Sequence, residues 1–113
     1  MEIVEQKDNI SFSDLKKLDI RICEVKEAER VKKTDKLIKL VIDTGIDLRE
    51  SITNLGSDYE VEDFIGKRFP FIINLEPVII KKIETKAMLF CFSDNINGVK
   101  LVDFDMEIGS NFL

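Results

Sequence analysis

Apolar residues in this chain come in short runs, and most alternate with polar ones. That period of two predicts strands. Over residues 18–28, Leu18, Ile20 and Ile22 share one parity, while Asp19, Arg21 and Cys23 take the other, outward one. Val25 breaks this pattern, which predicts a bulge or sharp bend. Residues 37–43 form a second strand with Ile38, Leu40 and Ile42 on one face, closed by Thr44 and Gly45. Residues 48–55 form a third, its hairpin partner across the turn at 45–47. Two runs, 69–73 and 87–92, are almost wholly apolar and predict strands buried on both faces. A turn over 94–98 leads to a short final strand over 99–104, and residues 109–113 form a tail with apolar Phe112 and Leu113.

Two segments have helical spacing. Ser11 and Ser13 offer N-caps for a short helix whose Phe12, Leu15 and Leu18 share a face that lids the core. Residues 57–66 predict another, capped by Ser57 or Asp58, with Val61, Phe64 and Ile65 inward and Gly66 at C′. Between the strands, residues 29–36 make a charged turn containing Arg30, Lys32, Lys33 and Lys36. Residues 74–86 make a long, partly basic connection: Asn74 and Pro77 end the preceding strand, and Lys81, Lys82 and Lys86 follow among Glu76 and Glu84. Residues 1–9 read as a polar tail and residues 10–113 as one domain. The order is three strands, a helix and two strands. It predicts an all-β fold with short helices, the five-stranded Greek-key barrel called the OB-fold, which binds oligonucleotides or oligosaccharides on its second and third strands.

Composition narrows the chemistry. A chain of 113 residues, 44% hydrophobic and 35% charged, suits one globular domain with a modest core. There is no histidine and only two cysteines, Cys23 and Cys91, so the usual zinc sites and the commonest general base are missing. No phosphate-cradling glycine loop or nucleophile elbow is present, so the expectation is no catalytic residue, no metal and no cofactor. The apolar runs are too short to span a bilayer, the start lacks a signal-peptide core, and the cysteines form no framework, which predicts a cytoplasmic protein. A net charge of −5 argues against a general nucleic-acid coat and leaves room for a local basic face.

Several segments carry a resemblance. ISFSDLKKLDIRI over residues 10–22 is similar to the phenylalanine-led helix and leucine-aspartate-hydrophobic-arginine strand of the tRNA-binding domain family. TDKLIKL at 34–40, Tyr59, FIGK at 64–67, NLEP at 74–77 and AML at 87–89 follow in the family's order. That family includes the C-terminal domain of bacterial methionyl-tRNA synthetase, the archaeal beta subunit and the free-standing dimeric tRNA-binding protein. The resemblance implies an OB-fold with C-terminal dimerisation elements, so a homodimer, and tRNA held by shape and backbone without strict sequence specificity. It implies a trans cofactor or beta-type subunit beside an aminoacyl-tRNA synthetase, methionyl-tRNA synthetase being the model. The family's serine-any-glycine-methionine motif corresponds to Thr85, Lys86, Ala87 and Met88, with Ala87 adding a methyl where glycine would let the ligand approach. Cys23 stands where glycine is usual, Asn54 where a serine-glycine pair is usual, and Glu76, Val78 and Ile79 where basic residues are usual.

The RNA-binding candidates are then Lys81, Lys82 and Lys86 on the phosphate path the resemblance implies, and Thr85 and Met88 from its motif. Asn74 at the end of the fourth strand, Arg21 on the first and Lys36 at the start of the second complete the set. Lys67 and Arg68 either extend the positive patch or neutralise a helix end. The alternative reading is a protein-interaction module, a homodimer like the CsaA-type chaperone, a relative of the same fold that binds polypeptide.

Overall fold

The computed structural model describes residues 5–112; residues 1–4 of the expected tail, and Leu113, lie outside them. Residues 5–9 are exposed and irregular. Helix α1 (Phe12–Leu15) follows, with the Ser11 hydroxyl accepting from the Asp14 N–H at its N-cap. Phe12 does not lid the core as the spacing suggests. It is exposed, with the Lys16 ammonium 4.9 Å from its ring centre.

Strands β1 (Ile20–Arg30), β2 (Ile38–Asp43), β3 (Leu48–Thr53), β4 (Arg68–Ile72) and β7 (Met88–Leu89) form one antiparallel sheet in the order β3-β2-β1-β4-β7. It curls into a nearly closed barrel of the OB type. The predicted bulge lies between Val25 and Glu27, just past Glu24, which pairs with both β4 and β2. The first half of β1 pairs with β4 and its second half with β2. The parities differ from expectation. Cys23 and Val25 point into the core, so Arg21 shares the inward parity and is not on the outward face. Ile22 is also buried, because the chain end covers the other side of β1. The Gly109 N–H donates to Ile22 O, the Ile22 N–H to Ser110 O, and the Phe112 N–H to Ile20 O. The expected tail thus occupies the edge of β1, and Gly109 lies so near Gly45 that a Cβ on Gly45 would come within 2.9 Å of its Cα.

The predicted helix over 57–66 is absent apart from one 3-10 turn, Val61–Asp63. Contacts from distant residues hold the segment in another shape, the Arg30 guanidinium first among them. It donates to the carbonyls of Gly56 (2.8 Å) and Tyr59 (3.3 Å) and ties this turn to the end of β1. Phe64 drops into the barrel with Phe69 edge-on at 6.2 Å, and Ile65 stays exposed. Gly66, at φ 79°, passes its N–H to Val25 O. Lys67 and Arg68 belong to the barrel rather than to a helix end: Lys67 O accepts from the Val25 N–H, and Arg68 donates to Met106 O and pairs with Glu24.

The expected fifth strand over 87–92 pairs with β4 only at Met88 and Leu89. Phe90 still donates its N–H to Pro70 O, but Pro70 has no N–H to return, so the ladder stops. Beyond it, β8 (Phe92–Asp94) and β9 (Gly98–Lys100) form a separate hairpin, in place of a final strand over 99–104. The Asp94 carboxylate accepts the Ile96 and Asn97 N–H groups in its turn. Tyr59 ties this hairpin to the barrel by donating its hydroxyl to Val99 O at 2.6 Å. The expected connection over 74–86 is also a hairpin, β5 (Val78–Ile80) and β6 (Ile83–Thr85).

The barrel closes between β3 and the segment 85–87 through side chains. Thr85 Oγ1 accepts the Ile52 N–H (3.3 Å) and donates to Ala87 O (2.9 Å); Ser51 Oγ donates to the same carbonyl (2.7 Å). Ser51, Thr85 and Ala87 are fully buried. Thr85→Val therefore strands the buried Ile52 N–H and should destabilise the protein by about 1–3 kcal/mol. Ser51→Ala leaves Ala87 O with its Thr85 donor and should cost about 1 kcal/mol. Urea unfolding of both variants checks the ranking; a Thr85→Val protein as stable as the parent would show that the seam is not held this way.

Candidate functional site

The hairpin β5–β6 leans beside the start of β3, and a cleft of about 590 Å³ opens between them. Leu48, Ile73, Leu75 and Ile83 give it aliphatic walls. Asp47, Glu50 and Glu84 alternate with Arg49, Lys82 and Lys86 around it. Arg49 is the fixed cation of the group. Its guanidinium donates to Ile73 O and, at 2.9 Å, to Asp47. That bond, with one from the Thr44 hydroxyl, holds the Asp47 carboxyl below the usual carboxylate range. The Lys86 ammonium lies 3.8 Å from Glu84 on an exposed surface, a pair that contributes little stability.

Lys81 and Lys82 form the two central residues of the β5–β6 turn, at φ 51° and 67°. Both angles are positive, as in the I′ turn that suits the twist of a two-residue hairpin. The turn thus projects two lysines from a short, well-defined hairpin rather than from a loose loop. Lys82 and Lys86 line the cleft beneath, and Lys81 stands exposed at the turn.

The other candidates occupy different places. Thr85 is fully buried in the barrel seam, so its hydroxyl serves β3 and Ala87. Ala87 is also fully buried among the core residues; its methyl fills the barrel and does not narrow a ligand surface. Met88 is 36% exposed beside Ile72. Asn74 engages its whole amide with backbone: its Oδ1 accepts the Asp19 N–H at 3.0 Å and its Nδ2 donates to Lys17 O at 2.6 Å. Arg21 is half-buried and held by Asp19 at 2.9 Å, which keeps the guanidinium charged. Lys36 is exposed at the far end of β2 from the cleft, where its carbonyl accepts the Gly56 N–H. The structure therefore brings Lys81, Lys82 and Lys86 together, leaves Asn74 beside them between the cleft residues Ile73 and Leu75, and puts Lys36 at the far end of β2. Arg49 and Leu48 escaped the sequence reading. Their strand was legible, but nothing in it showed that a hairpin some 30 residues later would lie against its start.

Neither cysteine has the setting of a reactive thiol. Burial pushes Cys23 up to about 12 and also raises half-buried Cys91. Among the described residues no cluster of carboxylates and thiols is arranged to hold a metal ion, and no helix is long and apolar enough to cross a membrane.

Comparison with known proteins agrees with this architecture. The family model described as "Putative tRNA binding domain" matches residues 20–111. The methionine–tRNA ligase of Archaeoglobus fulgidus is 43% identical over 100 residues, covering 88% of this chain but 15% of that protein. The chain thus spans about one seventh of the length of such curated relatives. A methionyl-tRNA synthetase-related protein from Pyrococcus horikoshii superposes with a TM-score of 0.87 at 28% identity, over 95% of this chain and all of that one. The CsaA chaperone protein from Picrophilus torridus superposes with a TM-score of 0.82 at 27% identity, over 93% of this chain and all of that one. With its barrel, its order of elements and a family match over most of its length, the chain belongs to the tRNA-binding domain family related to methionyl-tRNA synthetase.

Proposed function

We propose that this protein is a tRNA-binding module that holds tRNA by shape and phosphate backbone, and acts in the cytoplasm as a trans cofactor or beta-type subunit of an aminoacyl-tRNA synthetase of the methionyl type. The observation that carries this reading is the hairpin turn that raises Lys81 and Lys82 beside Lys86 at the mouth of the cleft. Lysines at a rigid turn supply point charges for phosphates, which position an RNA without reading its bases. The cleft has no aromatic side chain on which a base could stack, which favours backbone contact over base recognition. Lys81, Lys82 and Lys86 are the primary phosphate contacts, with Met88 on the adjoining surface. Asn74, Thr85 and Arg21 act indirectly, by holding the strands that carry them.

A second reading has its own support. The cleft's aliphatic walls and mixed charges suit an extended polypeptide, and the CsaA chaperones share the fold. Titration of the purified protein with bulk tRNA and with an unfolded polypeptide, side by side, separates the two. Binding of polypeptide alone would leave the interaction module standing and sink the RNA reading.

Neutralising Lys81, Lys82 and Lys86 together should weaken tRNA binding by about 1–3 kcal/mol, equally for different tRNAs. The slope of log affinity against log salt should become shallower by up to about 0.9 for each phosphate that a lysine no longer neutralises. Fluorescence anisotropy at several salt concentrations measures both; unchanged affinity and slope would place the RNA elsewhere.

On this reading the module is also a homodimer. Phe92, Ile96, Val102, Met106 and Phe112 are about half to nine-tenths exposed on the β8–β9 hairpin and the segment 101–112, apolar surface that a second copy would cover. Light scattering at tens of micromolar should give a dimer mass. A monomer would refute it, and a truncation after Asp103 that stays dimeric would move the interface elsewhere.

A further inference from the structure

Three non-glycine residues among those described have left-handed backbone, and all three are lysines: Lys33 at φ 64°, Lys81 at 51° and Lys82 at 67°. Glycine and asparagine adopt this conformation at lower cost, and lysine is not among the side chains enriched there. Two separate loops therefore keep a cation where a neutral residue would suit the backbone better. Lysine at such a position costs the backbone something that a neutral glycine or asparagine would not, so the charge is where a function would lie.

The two loops stand at opposite ends of one strip of surface. At one end, Lys82 and Lys86 share the cleft with Glu50. Glu50 and Glu29 both meet the ammonium of Lys39, at 3.7 and 2.9 Å. The Glu29 carboxyl is held below its usual range by that Lys39 hydrogen bond and further by the charge of Lys32, in the loop that holds Lys33. The strip thus runs from the hairpin through Glu50, Lys39 and Glu29 to Lys32 and Lys33, with Glu27 on its flank. The strand beneath it, β2, has six residues and spans roughly 17 Å.

A phosphate chain is attracted at both ends of this strip and repelled in the middle, where Lys39 stands against Glu27, Glu29 and Glu50. A single strand laid along it would set phosphates on carboxylates. A double helix presents two phosphate ridges with a groove between. In RNA the wide, shallow minor groove is lined with 2′-hydroxyls, which can donate to carboxylates that only accept.

Resting on the RNA reading above, we propose that this strip binds a double-helical RNA arm across its minor groove. The Lys33 loop meets one phosphate ridge, the Lys81–Lys82 turn meets the other, and Glu29 and Glu50 accept hydrogen bonds from 2′-hydroxyls between them. The left-handed lysines fix the two cation points, while the carboxylates favour RNA over DNA and duplex over single strand.

The test uses substitutions that suit the backbone and remove the charge: Lys33→Gly, and Lys81→Asn with Lys82→Gly. Each should raise the melting temperature yet weaken binding of tRNA, and of an RNA duplex of about 20 base pairs, by roughly 3–10-fold. The RNA duplex should compete with tRNA better than the DNA duplex or the single strand of the same sequence. Glu29→Gln with Glu50→Gln should improve DNA binding and narrow the preference for RNA. Single strand competing as well as duplex, DNA binding as well as RNA, or full affinity in Lys33→Gly would overturn the proposal. If the unmodified protein binds tRNA and loses it on neutralising Lys81, Lys82 and Lys86, but Lys33→Gly binds normally, this inference falls and the tRNA reading stands. If the unmodified protein binds no RNA, both fall.

Discussion

The seam between β3 and residues 85–87 is the contact on which the rest depends. A five-stranded sheet leaves two edges, and a barrel must satisfy the backbone groups along both. Here the two edges do not meet in a continuous ladder. Two hydroxyls bridge them, Ser51 and Thr85, and both deliver their protons to the carbonyl of Ala87. Because those groups are sealed from water, each bond counts for more than it would on the surface. The seam also sets where β6 ends, and so where the β5–β6 turn projects. A buried threonine taken from a binding motif therefore acts on the ligand surface from beneath it.

Around this barrel the charge is unevenly placed. The chain carries 22 carboxylates and 17 basic side chains. Yet the hairpin turn and the loop 31–37 each hold lysines without a paired carboxylate at the tip among the described salt bridges. At physiological salt, fields between exposed charges fade over about 8 Å. A net negative protein can therefore still present a locally positive turn, and the total charge says little about any one face.

Most strands were legible because one period governs them. Ile38, Leu40 and Ile42 alternate with polar residues and all three are fully buried. The bulge in β1 was legible too, although the signal behind it had a different cause. Ile22 and Val25 are buried on opposite sides of the strand because the chain end covers one and the core takes the other. Pro70 carried the clearest unread signal. A missing N–H inside β4 was visible in the sequence and is what stops β7 after two residues.

The barrel class, its first four strands and the family could be read from the chain alone, since alternation, turn residues and motif order are local properties. The sequence also determined that Lys81, Lys82 and Lys86 would lie close together, because they are near neighbours in sequence. Tertiary structure alone decided what those lysines face. Arg49, Leu48 and Glu50 come to the cleft only because the seam lays the hairpin against β3. Tertiary structure also put an irregular segment where a helix was expected, with Arg30 holding the carbonyls of Gly56 and Tyr59 from 26 and 29 residues away. It sealed Thr85 in the barrel and tied exposed Asn74 to the backbone of Lys17 and Asp19, partners that sequence spacing does not show.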